Sequence, residues 1–372
     1  MRIRALLGAL ALGLSTWVNV ARADSSAPSQ GNIFASSDQL PDLQYPETVI
    51  TDKERVYVTT YNTVNVNDNH IYVLDKKGRL LNDIGATPDQ LKYFTDGLLG
   101  LALQPKTGDL YVAANGTGNI LRIQNPAQPN PKISIYSTYP NGGGPEDLEF
   151  NQCGTLYATD SNLGVVYTIP NGGGTPQLLI GPPGSGAPVS DEGLLQSAVA
   201  ELSPNGIGFS PDYKKLYLTN TYSDSVIVFN VNDRGVVTGL PRILAQNLND
   251  DLEEYPTGFD KLVLPDPKIG ASASTPLNGA DGLRVDKNGK IYVSSGYGDN
   301  ITVLSPLGKI EGTYGTSAVT SNGLLNAPTS VGFVDNKVLV TNTALFTGLA
   351  GEQCPFTVIS FDKKKDLQPL QK

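Results

Sequence analysis

The chain has 372 residues, 39% of them apolar and 17% charged, with a formal charge of −9, 40 Gly and 26 Pro, but one His, one Trp and two Cys. Gly and Pro make up about 18% of the residues against a globular average of roughly 12%; the chain is too apolar for disorder and, lacking heptads, too turn-rich for an all-helical fold. A zinc site of two or three His, or a Ser-His-Asp triad, would have to use His70 or not exist.

Residues 1–23 read as a secretory signal peptide. Arg2 and Arg4 precede an apolar run over 5–14, and Ala21-Arg22-Ala23 fits an A-x-A cleavage site. The run falls short of the roughly 20 residues that span a bilayer, and no later segment approaches that length. The expectation is a mature chain starting near Asp24, a single domain over 24–372, secreted or periplasmic, with no membrane span after cleavage. Without the leader, 24 basic residues face 36 acidic ones, a formal charge of −12. Such a surface repels phosphate backbones, which argues against a nucleic-acid partner.

Six segments then repeat along the chain, starting at 46, 98, 145, 204, 280 and 328. PNGIGFSPDYKKLYLTNTYSDSVIVFNV (204–231) and ADGLRVDKNGKIYVSSGYGDNITVL (280–304) illustrate the unit: a strand, a tight polar turn, a second strand ending in a small polar residue, another turn and a third strand. Units of about 50 residues with room for a fourth strand are what a propeller blade requires. The predicted fold is all-β, a six-bladed β-propeller of four-stranded blades. Weaker outer strands are expected at 79–85, 133–138, 175–180, 236–245 and 309–314. Closure of the ring, needed to avoid bare sheet edges, should come from 31–36 or from the tail around Leu367.

The two long connections, 181–203 and 232–279, both lead from an outer strand to the next inner strand, so both should lie over one mouth of the channel. Cys153 and Cys354 fall in opposite blades, which should hold them farther apart than the roughly 7 Å a disulfide tolerates; a native disulfide, natural in an exported protein, is the competing reading and would mean a different blade register. Gly142–144 and Gly172–174 read as blade-to-blade turns, since no Lys-Ser/Thr follows them. Asn115 and Asn300 begin glycosylation sequons. His70 reads as an exposed loop residue, with a proton shuttle at the mouth as the other possibility. The acidic run of Asp250, Asp251, Glu253 and Glu254 reads as solvated surface.

The residue opening each inner strand is Glu47, Leu99, Glu146, Asn205, Asp281 and Thr329 in turn. Three carboxylates and an amide converging on the propeller axis would repel one another without a cation. Calcium suits them, being hard, oxygen-preferring and tolerant of irregular geometry, and another divalent cation would serve. The bland alternative is that these residues only cap turns. At the ends of the second strands Tyr61, Asn115, Asp160, Asn220, Ser295 and Asn342 run toward the same mouth, as turn residues or as a second shell around the ring.

Pro204-Asn205-Gly206-Ile207 with Leu216-Tyr217-Leu218-Thr219-Asn220, followed by Asp281-Gly282-Leu283-Arg284-Val285-Asp286, resembles the senescence-marker-protein/gluconolactonase family, to which regucalcin belongs. The resemblance implies a six-bladed propeller holding a divalent cation, usually calcium, through a Glu, one or two Asn and an Asp. By position, Asn205 and Asp281 match the family's Asn and late Asp. Glu47 resembles its early Glu, although Pro46-Glu47-Thr48 lacks the usual Glu-Gly-Pro. Glu146 stands where an Asn is usual. The implied activity is opening of a lactone, or a related ester, with Asp281 and then Glu146 as candidates for the proton-accepting base. Asn205 can only be a ligand or an orienter. The reading from a different class is a non-catalytic propeller that binds a carbohydrate, peptide or protein.

Overall fold

A computed structural model of the protein describes residues 31–62, 64–181, 203–247, 276–315, 324–344 and 356–367. The leader, both Trp17 and Cys354, the acidic run, and the bodies of the two long connections lie outside the described residues. The chain forms six four-stranded antiparallel sheets, five of them meanders running from an inner to an outer strand. Inner strands are Pro46–Thr51, Leu101–Leu103, Leu148–Phe150, Pro204–Phe209, Ala280–Val285 and Pro328–Val334. Each touches the inner strands of both neighbouring blades, and the sixth returns to the first, so the six sheets close into a β-propeller.

Closure uses the N-terminal candidate. Asn32–Ser36 pairs antiparallel with Thr357–Asp362 and becomes the outermost strand of blade six. Leu367 instead packs against the core between blades five and six. No helix among the described residues is long and apolar enough to cross a membrane. Cys153 is an exposed free thiol. Gly142–144 does lead from blade two to blade three, whereas Gly172–174 joins the last two strands within blade three. That correction follows from the outer strand Gln177–Ile180 coming after the glycines.

The apolar residues divide into six clusters, one at each blade-to-blade junction. One position of the repeat explains their regularity. Tyr57, Tyr111, Tyr157, Tyr217 and Tyr292 occupy the middle of the second strand in blades one to five, all of them buried. Each enters the cluster shared with the following blade, and Leu339 takes this place in blade six. An aromatic side chain buries about 150–250 Å², so five copies of one letter of the repeat carry much of the adhesion between blades.

A second repeated device sits nearer the axis. Each inner strand opens with an irregularity in which two residues face one residue of the second strand. The pairing shifts between Pro46 and Val49, Pro204 and Ile207, Ala280 and Leu283, and Pro328 and Ser330. In blade three Thr159 bonds through its carbonyl to Glu146 N (2.8 Å) and through its amide to Asp147 O (3.0 Å). Ala113 does the same with Leu99 and Gly100 in blade two. A bulge of this kind re-aims the side chain at its apex and leaves one amide without a ladder partner.

A hydroxyl from the second strand takes up that amide. Thr59 Oγ1 accepts from Thr48 N (3.0 Å), Thr159 Oγ1 from Asp147 N (2.9 Å) and Thr219 Oγ1 from Gly206 N (2.7 Å). The same oxygens donate onward to the carbonyl at the bulge apex of the next blade: Thr59 to Leu99 O (2.8 Å), Thr159 to Asn205 O (2.6 Å) and Thr219 to Asp281 O (2.5 Å). Ser294 donates to Thr329 O (2.8 Å) and Thr341 to Glu47 O (2.7 Å). Blade two has Ala113 and no hydroxyl, and there Gly100 N donates directly to Glu146 O (2.7 Å). A Cβ on Gly100 would lie 2.5 Å from that oxygen, which is why glycine stands there. The result is a closed girdle of hydrogen bonds linking all six blades.

Valine in place of Thr219 keeps the shape but leaves a buried amide and a buried carbonyl unpaired, so Thr219→Val is expected to cost about 2–4 kcal/mol. Urea unfolding of the full chain checks this, with Thr219→Ser recovering most of the loss; a cost below about 0.5 kcal/mol would contradict the girdle's role.

His70 departs from the expectation of an exposed loop residue: it is 4% exposed, at the head of the third strand of blade one. Its Nδ1 lies 2.7 Å from Asp83 Oδ1 and its Nε2 3.1 Å from Asp68 Oδ1. Burial alone would lower its pKa, but the hydrogen bonds and charges of Asp83 and Asp68 outweigh burial and raise it. Two carboxylates facing both ring nitrogens favour the imidazolium. A raised folded-state pKa contributes stability that is complete below the unfolded value of about 6.5 and fades as pH rises through the folded value. The stability difference between the wild type and His70→Gln should therefore shrink from acidic to alkaline pH; a pH-independent difference would contradict the ion-pair account.

Candidate functional site

The six bulges place Glu47, Leu99, Glu146, Asn205, Asp281 and Thr329 at equivalent apices around one mouth of the channel. The four residues that sequence reasoning assigned to the ring are thereby brought together, each partly accessible from the mouth and otherwise enclosed by protein. Asn205 beside Asp281 and Thr329 beside Glu47 favour the ionised carboxyls, and the Thr329 hydroxyl donates to the Glu47 main-chain carbonyl at 2.7 Å. Glu146 Oε2 accepts from Ser161 Oγ at 2.7 Å.

Their electrostatics show the cost of the arrangement. Burial, and then the charges of Asp281 and Glu146, push the Glu47 carboxyl well above its ordinary range. Burial, and then the charges of Glu146 and Asp147, do the same to Asp281. Glu146 is pushed up to about 7, chiefly by burial and against the Ser161 hydrogen bond. Three carboxyls that mutually oppose ionisation are a site that a cation would relieve.

The donors fit a hard cation. Glu47, Glu146, Asn205 and Asp281 offer only oxygen, the chemistry that calcium or magnesium takes and that zinc or copper does not prefer. Among the described residues no three His, Cys, Asp or Glu side chains gather closely enough to cage an ion by themselves. A shell here would therefore draw on the Asn205 amide oxygen as well as on the carboxylates.

Beneath the ring lies an ion pair that the sequence reading did not assign. Arg284, three residues beyond Asp281, sets Nη1 at 2.8 Å from Asp147 Oδ2 and Nη2 at 3.2 Å from Asp147 Oδ1. Asp147 also accepts from Ile207 N (3.1 Å) and Leu148 N (2.8 Å). One fork thus ties blade five to blade three and touches blade four, directly under Glu146, Asn205 and Asp281. The signal was present in the sequence: Arg284 follows Gly282 and Leu283 and precedes Val285 in the second half of an inner strand, and a buried arginine requires a partner.

The second-strand residues divide by register. Asp160, Asn220, Ser295 and Asn342 are equivalent, but their counterparts in blades one and two are Thr60 and Ala114, one residue before the expected Tyr61 and Asn115. These polar groups fasten the backbone that leads into the inner strands. Asp160 accepts from Gly144 N (3.0 Å), Asn220 Oδ1 from Ser203 N (2.9 Å) and Asn342 Oδ1 from Asn326 N (2.5 Å). Asn115 Nδ2 donates to Pro145 O at 3.2 Å. Tyr61 has a different place: its phenol is raised to about 12 by burial and then by the charges of Glu146 and Glu47, which puts it beside the ring. The phenol of Tyr297 is raised by burial and then by Asp281. Gly97 and Gly279 lie against these two rings, where a Cβ would approach within 2.2 and 2.6 Å.

Known proteins place this architecture. The chain is 28% identical over 225 residues to a gluconolactonase of Zymomonas mobilis, an alignment covering 58% of this chain and 53% of that protein. It thus spans about half the length of that relative. A calcium-binding regucalcin from Agrobacterium tumefaciens has a similar fold, with a TM-score of 0.57 at 15% identity over 92% of this chain and 98% of the other. A gluconolactonase from Xanthomonas campestris superposes with a TM-score of 0.51 at 16% identity over 86% of both chains. Residues 94–324, well over half of the chain, match the family model described as the SMP-30/gluconolactonase/LRE-like region, and this chain belongs to that family.

Proposed function

We propose that the chain is a divalent-cation-dependent lactonase of the gluconolactonase type, with calcium as the preferred ion. The observation that carries this reading is the ring itself: three mutually opposed carboxyls and an amide, all oxygen donors, held at one mouth of the channel. Glu47, Asn205 and Asp281 would hold the cation, with Glu146 at the edge of the group. A bound divalent cation supplies Lewis acidity, polarising a carbonyl and stabilising the oxyanion that develops when water attacks.

The remaining work falls to the protein's own groups. Asp281, oriented by Asn205, is the first candidate to take the proton from the attacking water, and Glu146, oriented by Ser161, the second. Tyr61 and Tyr297 remain neutral phenols at neutral pH and can donate hydrogen bonds to a substrate's oxygens at the rim. The leader-like residues 1–23 support export to the periplasm or the exterior. One feature favours a second reading. Glu146 occupies the place where the family usually has Asn, which suits a propeller that holds an ion and binds a carbohydrate, peptide or protein without catalysis.

Metal analysis of the purified protein, followed by hydrolysis assays on aldonolactones and acyl lactones with and without chelator, separates the readings. Chelation should abolish turnover and added calcium restore it; bound calcium with no turnover on any lactone would overturn the enzyme assignment. Asp281→Ala should lose the ion and lower kcat/KM by roughly a hundredfold or more. Unchanged calcium content in that variant would overturn the ring.

A further inference from the structure

The channel does not end at the ring. The Arg284 guanidinium also contacts the carbonyls of Leu283 (2.8 Å), Ile207 (3.5 Å) and Leu101 (3.5 Å). Those three residues lie two positions below the ring residues of blades five, four and two. The Arg284–Asp147 fork therefore forms a floor across the axis. Under it is a cavity of ≈ 220 Å³ built from the second halves of the inner strands. Ile50, Leu101, Leu103, Val285, Val331 and Phe333 supply apolar walls. Ile50, Leu103, Val285 and Phe333 are only partly buried, so the space opens toward the face opposite the ring.

Two charged side chains line this cavity, the Glu149 carboxyl and the Arg284 guanidinium, each within reach of the other's charge. Glu149, on the inner strand of blade three, lines the space. Arg284 is the nearest cation, but its guanidinium is spent on Asp147 and on backbone carbonyls. Arg284 thus faces two carboxyls, Asp147 and Glu149, and the three charges together leave one net negative charge in a pocket whose walls mix aliphatic side chains with Thr51, Arg284 and Glu149.

We propose that this lower cavity is a second ligand site that takes a small organic monocation, with an ammonium group against Glu149 and an apolar body against the aliphatic walls. The size agrees, because a cavity of about 150 Å³ holds benzene, and the additional volume admits a short charged arm. Burial, opposed by the Arg284 charge and reinforced by that of Asp147, raises Glu149 to about 7, so the nearby guanidinium does not fully offset the cost of burying this carboxyl. The site is separate from the ring and does not depend on the chemistry assigned there.

Benzylammonium, benzyl alcohol and benzoate, titrated into the full chain by calorimetry near neutral pH, test the assignment. Benzylammonium is expected to bind at least tenfold more tightly than the other two. Glu149→Gln, which keeps the shape, should weaken it tenfold or more, and Leu103→Phe should weaken it by filling the cavity without changing charge. Saturating calcium should leave it unchanged. Absence of benzylammonium binding, equal binding of the alcohol, undiminished binding to Glu149→Gln, or competition by calcium would each overturn the proposal.

Discussion

The bulge at the head of each inner strand is the constraint on which the candidate site depends. In a regular strand alternate side chains would face the axis, and the chain would present to the channel the apolar residues that also build the blade-to-blade cores. One extra residue per inner strand turns the apex side chain toward the mouth and leaves an amide that the ladder cannot satisfy. The hydroxyls of Thr59, Thr159 and Thr219 satisfy that amide and in the same stroke hold the apex carbonyl of the next blade. The backbone of every ring residue is thus fixed from a neighbouring blade. Precision of this kind, from strands and not from loops, is what a site needs if its ligands are to stay in place against their own repulsion.

That repulsion is the second theme. Glu47, Glu146 and Asp281 raise one another's proton affinity, and the nearest arginine does not relieve them, because Arg284 is committed to Asp147. The fork isolates two environments along one axis. Above it lie carboxyls with accessible oxygens, and below it a space walled by aliphatic side chains, Glu149 and the Arg284 guanidinium itself.

Much of this was legible in the sequence, for identifiable reasons. Repeat spacing and strand–turn–strand periodicity fixed six blades, since each unit must bury its faces against its neighbours, and the second letter of each repeat marked the ring. The register slip at Tyr61 and Asn115 arose because blades one and two end their second strands on Thr60 and Ala114, which carry no Asn or Asp to mark the boundary. The girdle was visible only as a recurring Thr or Ser, a residue type equally at home in any strand. His70 was misread because its partners, Asp68 and Asp83, flank a strand and meet only once the outer strand pairs back. Arg284 and Asp147 are 137 positions apart in the chain, and their pairing depends on ring closure.

The central claim is that four oxygen-bearing side chains at the bulge apices form one cation site on the propeller axis. Anomalous diffraction from crystals of the full chain grown with a lanthanide in place of calcium tests it most directly. The account predicts a single strong peak at the mouth within coordinating distance of Glu47, Asn205 and Asp281. No peak on the axis, or a peak held by other residues with these three turned away, would contradict it.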